Sequence, residues 1–164
     1  MKIITERLEL VPLTSSQLRL WIENIFTLEK EINCQYKAEP MKGIFLEIVK
    51  KQLATTEKDK DNYLWHSFWF LIRKDDRTVV GSADFKGIPN EKGEVEIGYG
   101  LGKEVEHNGY ITESVKAMCD WALQQEKVSH IIAETDLDGF ASQRILKRCG
   151  FVKNKQEDTV WWIL

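Results

Sequence analysis

The 164-residue chain is short of cysteine, of net charge and of long apolar runs, and each shortage excludes something. Its three cysteines, Cys34, Cys119 and Cys149, are odd in number and widely spaced. No pair has the spacing of zinc ligands, so no metal is expected. Cys119 and Cys149 stand among apolar neighbours and read as small core residues in a reducing compartment. The formal net charge is −3 at pH 7, which gives no electrostatic case for nucleic acid as the main partner. No run of about 18 apolar residues occurs, so no membrane span is expected. The start, "MKIITERLEL", carries charges inside its apolar pattern and does not read as a signal peptide. The expectation is a cytoplasmic protein. Two phosphate-binding signatures are also missing. No Gly-Lys-Ser/Thr follows a glycine-rich loop, and no dinucleotide-type glycine triplet occurs. With no repeat, linker or low-complexity stretch, residues 1–164 read as a single domain.

What is present is an ordinary globular balance, 43% apolar and 30% charged. "IITERLELVPL" alternates Ile4, Leu8 and Leu10 against Arg7 and Glu9, a half-buried strand ended by Pro12. "TSSQLRLWIENIF" predicts a helix capped by Thr14 and Ser15, with Leu18, Trp21, Ile22 and Ile25 on one face. "KGIFLEIVKKQLATTE" predicts a second, with Ile44, Ile48 and Leu53 in phase. "EKDKDN" reads as a solvated loop. From residue 64 the period becomes two. "WHSFWFLIRK", "TVVGSADFKGI" and "EVEIGYGLG" are strands, joined by turns at Asp75 and Asp76 and from Asn90 to Gly93, and together they make an antiparallel meander. Gly98 and Gly100 inside the third strand suggest a bulge, or a backbone that something approaches closely. A helix over 110–126 follows, with Ile111, Val115, Met118, Cys119 and Ala122 on one face. Then come a buried strand "HIIAETD", a helix "FASQRILKRCG" closed by Gly150, and strands "FVKN" and "TVWWIL". An α/β unit appended to a meander is an α/β (α+β) fold. Trp161 and Trp162 alternate faces on the last strand. One of them at an exposed edge would favour a homodimer over a monomer.

The stretch "EHNGYITES", residues 106–114, runs from a polar turn straight into a helix. A helix start has four unsatisfied N–H groups and a partial positive charge, which suit an anion. Gly109 lets a phosphate near the backbone. Unpaired strand groups near Gly98 or Gly100 would bond an amide-bearing ligand lying alongside like an added strand. Coenzyme A has both a pyrophosphate and such an arm. An ordinary strand–turn–helix is the alternative.

"TERLEL", "EIGYGL", "GYITESVKAMCDWAL" and "AETDLDGFASQRILKRCGF", in this order along nearly the whole chain, resemble the GNAT N-acetyltransferases. The likeness is narrower to the RimJ/RimL-type branch that acetylates ribosomal-protein N-termini. The resemblance implies acetyl-CoA as cosubstrate and a primary amine as acceptor. It implies a mixed central sheet of about seven strands and about four helices, splayed between its fourth strand (95–101) and its fifth (130–136). The donor site it implies comprises strand groups of Tyr99, Gly100 and Leu101, the loop and helix start Glu106, His107, Asn108, Gly109, Tyr110, Ile111 and Thr112, and Gly139 and Ser142. The loop and one later position depart from the family pattern. Glu106 and His107 stand where Arg/Gln and Gly are usual, and Gly139 stands where Asn is common.

Acetyl transfer needs a neutral amine, an oxyanion donor and a proton for the leaving thiolate. Strand N–H groups near Tyr99 to Leu101 are the expected oxyanion donors. The resemblance makes Glu96 the candidate base and Ser142 the candidate proton donor. Otherwise Glu96 lies on a solvated strand face and Ser142 in a helix's first turn. His66 and His107 titrate near neutrality but show no partner in the sequence. Asp84 could face the acceptor cleft, as could the aromatics of "WHSFWF", which also suit a core. The implied function is transfer to a protein's N-terminal α-amine, such as that of a ribosomal protein. A polyamine, amino acid or antibiotic acceptor is a second possibility, and acyl-CoA binding without turnover a third.

Overall fold

Helices cover both faces of the central sheet because its middle strands are apolar on both sides. The computed structural model describes residues 1–101 and 108–164. In order these form β1 (Ile3–Ile4), β2 (Leu8–Pro12), α1 (Ser15–Glu23), α2 (Ile25–Ile32), β3 (Gln35–Tyr36) and α3 (Gly43–Lys58). A 3-10 turn (Lys60–Asn62), α4 (Tyr63–His66), β4 (Phe68–Arg73), β5 (Thr78–Phe85) and β6 (Glu94–Leu101) follow. The chain closes with α5 (Tyr110–Leu123), β7 (His130–Asp136), α6 (Phe140–Arg148), β8 (Val152–Gln156) and β9 (Thr159–Ile163). The strands run β1-β2-β4-β5-β6-β7-β9-β8, with β3 parallel to β5. Along β4 the side chains alternate between two cores. Phe68, Phe70 and Ile72 meet Leu18, Trp21 and Val49 on one side, and Trp69 and Leu71 meet Val115 and Met118 on the other. Trp21 is the keystone of the first core, packed edge-on against Phe68 and Phe70.

The meander expected from the sequence is present as β4–β5–β6, antiparallel throughout. The splay is present as well. Strands β6 and β7 are parallel partners only at Glu94–His130, Val95–Ile131 and Glu96–Ile132. Beyond that point β6 continues along β5 as far as Leu101, while β7 continues along β9 as far as Asp136. The two strands therefore part company from Ile97 onward.

Several expectations need correction. No bulge stands at Gly98 or Gly100, because β5 and β6 keep unbroken register past both; the irregularity lies at Leu71/Ile72 in the β4–β5 ladder. The first predicted helix is two, since Asn24 ends α1 and its side chain caps α2 by accepting from the Thr27 N–H. Thr14 does form the expected cap, in a reciprocal box with Gln17. On α3 the buried stripe is Val49, Leu53 and Thr56, which leaves Ile44 81% and Ile48 46% exposed. Residues 60–66 are neither loop nor strand. Asp59 draws them into a turn and a short helix, binding the Asn62 amide and His66 Nε2. The last strand has no free edge either. β9 lies between β7 and β8, with Trp162 only 1% exposed, and the outer strand is the lysine-bearing β8. Among the described residues the strands number nine and the α-helices six.

Candidate active site

Parting β6 from β7 leaves strand residues 97–101 with a partner on one side only, and two cavities meet there. Each is about 520 Å³. One lies on the α5/α6 side, walled by Gly109, Ile111, Thr112, Ser142, Arg144 and Arg148. The other lies on the α3/α4 side, walled by Glu39, Phe45, Gln52, His66, Asp84 and Lys86, among others. Tyr99 and Gly100 belong to both walls.

The α5/α6 cavity gathers Tyr99, Gly100, Gly109, Ile111, Thr112 and Ser142 of the predicted donor site. Helix α5 follows Gly109, whose φ of 77° is left-handed and suits glycine, and among the described residues no side chain caps that start. Arg7, from the turn between β1 and β2, clamps the same place. Its guanidinium donates to the Asn108 carbonyl at 2.8 Å, lies 4.4 Å over the Tyr110 ring and faces Glu113. The Tyr110 side chain is thus core, and Asn108 is held from behind by Arg7. Gly139 caps α6 with its carbonyl, donates its N–H to the Asp136 carbonyl and lines neither cavity. Glu106 and His107 lie outside the described residues, as does the side chain of Leu101. Helix α6 ends in a Schellman turn at Gly150, with Phe151 N–H donating to Leu146 and Gly150 N–H to Lys147. Arg144 and Arg148, one turn apart on α6, put two cations on this wall. Sequence reading missed them, although the i,i+4 pair in "QRILKR" carries the signal.

The hydroxyls of Tyr99 and Ser142 are 2.6 Å apart where the cavities meet. Burial pushes the Tyr99 phenol up to about 12, so it stays protonated and able to donate. On the other side, Gln52 bridges two groups through its amide, donating to Asp84 Oδ2 and to the His66 carbonyl, both at 3.0 Å. His66 Nε2 contacts Asp59 at 2.9 Å, a partner the sequence did not reveal. That hydrogen bond holds the Asp59 carboxyl below its ordinary value. Glu96 is occupied by Lys86 at 2.9 Å and lies off both cavity walls. The aromatics of "WHSFWF" are mostly core, though Phe68 also walls the α3/α4 cavity. All three thiols are pushed up by burial, Cys34 to about 11, which leaves them unreactive near neutrality.

The family model of the acetyltransferase (GNAT) domain matches residues 7–152. The chain belongs to the GNAT acetyltransferase family. It is similar to the uncharacterized N-acetyltransferase YjdG of Bacillus subtilis strain 168, 36% identical over 96 residues, or 58% of this chain and 57% of that protein. The match thus spans little more than half of that relative's length. Among solved structures it resembles the ribosomal-protein-S5-alanine acetyltransferase of Vibrio fischeri, with a TM-score of 0.70 at 19% identity, over 100% of this chain and 96% of that one. It also resembles a RimL ribosomal alpha-N-protein acetyltransferase in complex with coenzyme A. There the TM-score is 0.68 at 15% identity, over 100% of this chain and 97% of that one. At such identities the likeness is one of fold.

Proposed function

We propose that this GNAT chain transfers an acetyl group from acetyl-CoA to a primary amine. The donor enters on the α5/α6 side and the acceptor on the α3/α4 side. One observation carries the reading: two separate cavities share a wall only at Tyr99 and Gly100, where β6 has lost its β7 partner. A thioester carbonyl at that wall is open to attack from the far cavity. The pantetheine arm pairs with the unpartnered edge of residues 97–101. The pyrophosphate sits at the start of α5, in the cavity that Arg144 and Arg148 also wall. The Tyr99 N–H, on the edge of β6 turned away from β5, receives the oxyanion. The Tyr99–Ser142 hydroxyl pair hydrogen-bonds the departing sulfur and relays a proton to it.

We infer that the acceptor is the α-amine of a peptide or protein chain. The α3/α4 cavity supports this, because apolar Phe45 and Ile48 line it beside carboxylates, giving an extended chain a surface as well as its amine a counter-charge. The fold shared with ribosomal-protein acetyltransferases points the same way. Calorimetry with acetyl-CoA, followed by thiol release against peptides with free or blocked N-termini and against polyamines, tests the reading. Binding with turnover on free peptide N-termini is expected. Turnover on polyamines alone would reassign the acceptor, and absence of binding at millimolar acetyl-CoA would defeat the proposal.

A further inference from the structure

A carboxylate in the middle of the sheet has no role in the account so far. Asp84 stands on β5, a strand of eight residues that are all buried, and is itself 6% exposed. It shares one face of the β5–β6 pair with Ser82 and Lys86, opposite Gly100, Gly98 and Glu96. Strand β6 makes room for it, because a Cβ at Gly98 would stand 2.8 Å from Asp84 Oδ1. Gly100 differs, since a Cβ there would meet Glu39 Oε2 at an ordinary 3.9 Å. Asp84 Oδ2 accepts from Gln52, while Oδ1 has no hydrogen-bond partner among the described residues. Asp84 walls the α3/α4 cavity next to the shared Tyr99–Gly100 wall. A carboxylate with one oxygen held by Gln52 and the other open to a cavity is placed to receive a proton from a group bound there.

We propose that Asp84 is the catalytic base, taking the proton of the acceptor ammonium in the α3/α4 cavity so that the neutral amine attacks the thioester at Tyr99–Gly100. This rests on the acetyl-transfer reading above and assigns its proton acceptor. Glu96, the base the family resemblance implied, is held by Lys86 and lines neither cavity. In the step itself the ammonium N–H breaks, its proton goes to Asp84 and the electron pair stays on nitrogen. That pair forms the C–N bond while the carbonyl π pair moves to oxygen. Collapse breaks the C–S bond and expels the thiolate. The second nitrogen proton reaches sulfur through the Tyr99–Ser142 pair, and Asp84 returns its proton to solvent. The products are an amide, the CoA thiol and one proton. Gln52 is a positioning residue that aims the carboxylate.

The electrostatics agree with this role. Burial pushes the Asp84 carboxyl up to about 6; Lys86 and the Gln52 hydrogen bond pull it down, and Glu96 pushes it up. The other charged or titratable groups on the cavity wall are Glu39, Lys51 from α3, His66 from α4 and the Tyr99 phenol from β6, which stays protonated. A base near 6 is ionised at neutral pH and lies about two pH units below an ordinary α-amine, near 8.

Thiol release by the full chain, with acetyl-CoA and either a serine-led tripeptide amide or spermidine, tests the assignment across pH. The wild type should show an acid limb in kcat/KM near pH 6. Asp84→Asn should lower kcat by about 100-fold or more and abolish that limb while binding acetyl-CoA as before. The limb should persist in His66→Gln, and Gln52→Leu should move it to higher pH. An Asp84→Asn enzyme within about threefold of wild type with its limb intact overturns the assignment. So does a limb lost only in His66→Gln or unmoved in Gln52→Leu. Should neither probe turn over, carboxyl NMR of aspartate-labelled protein decides. A buried aspartate titrating near 6 supports the assignment, and all aspartates titrating near 4 or below overturn it. A wild type that binds no acetyl-CoA defeats the acetyl-transfer reading, and the NMR titration still judges Asp84.

Discussion

At the residue scale, Asp84 sets chemistry against stability. Its carboxyl has an ordinary value of 3.8 and a folded value of about 6. Below the ordinary value both folded and unfolded chains hold the proton, and burial is not penalised. Between the two values the folded chain keeps a proton that the unfolded chain loses, so stability falls as pH rises, by about 3 kcal/mol at most once the buried carboxyl is ionised above 6. Asp84→Asn removes the charge and keeps an acceptor oxygen for Gln52. It should therefore stabilise the protein by about 2 kcal/mol at pH 7.5, with the gain fading toward pH 4. Urea unfolding at the two pH values checks this, and equal stability at both would contradict it. Tyr99 and Ser142 act as one unit through their 2.6 Å contact. Tyr99→Phe and Ser142→Ala should each lower kcat by about tenfold, and the double variant should be little worse than the poorer single. Fully multiplicative losses in kcat would separate the two.

At the element scale, β6 does the positioning, and its glycines are specific to their places. Gly98→Ala drives a methyl to 2.8 Å from Asp84 Oδ1, whereas Gly100→Ala meets Glu39 at an ordinary 3.9 Å. The first should destabilise by about 1–3 kcal/mol and displace the carboxylate. The second should leave stability within about 0.5 kcal/mol. Thermal unfolding of the two variants compares them, and equal losses would remove the argument from close approach. These elements also show what the sequence could convey. The "EIGYGL" glycines announced that something comes close to β6, but period-two patterning does not say what. The answer lies on β5, paired through long-range register. Asp84 stands out in the sequence only as the one charge in its strand. Residues 60–66 were misread because Asp59 organises them through side-chain bonds that no periodicity encodes. Ile44 and Ile48 were misplaced because α3 has a second apolar stripe, and Ile48 walls the α3/α4 cavity.

At the scale of the whole molecule, two cores clamp the sheet from opposite sides and hold the splay open between them. The core under α1 and α3 depends on Trp21, packed against Phe68, Phe70, Phe45 and Tyr36. Trp21→Ala should cost about 3–5 kcal/mol in chemical unfolding, and a loss under about 1 kcal/mol would show that the cluster is not the keystone. The overall topology was legible because meander, α/β unit and splay follow from strand patterning and from the family resemblance. Cavity sharing was not, since it arises only where β6 and β7 diverge in space. The most direct test of the account is a crystal structure with coenzyme A bound. The pyrophosphate should lie at the start of α5, the arm should pair along residues 97–101, and the sulfur should come within hydrogen-bond reach of the Tyr99–Ser142 pair. Coenzyme A lying on the α3/α4 side, or elsewhere with β6 and β7 closed against each other, would contradict it.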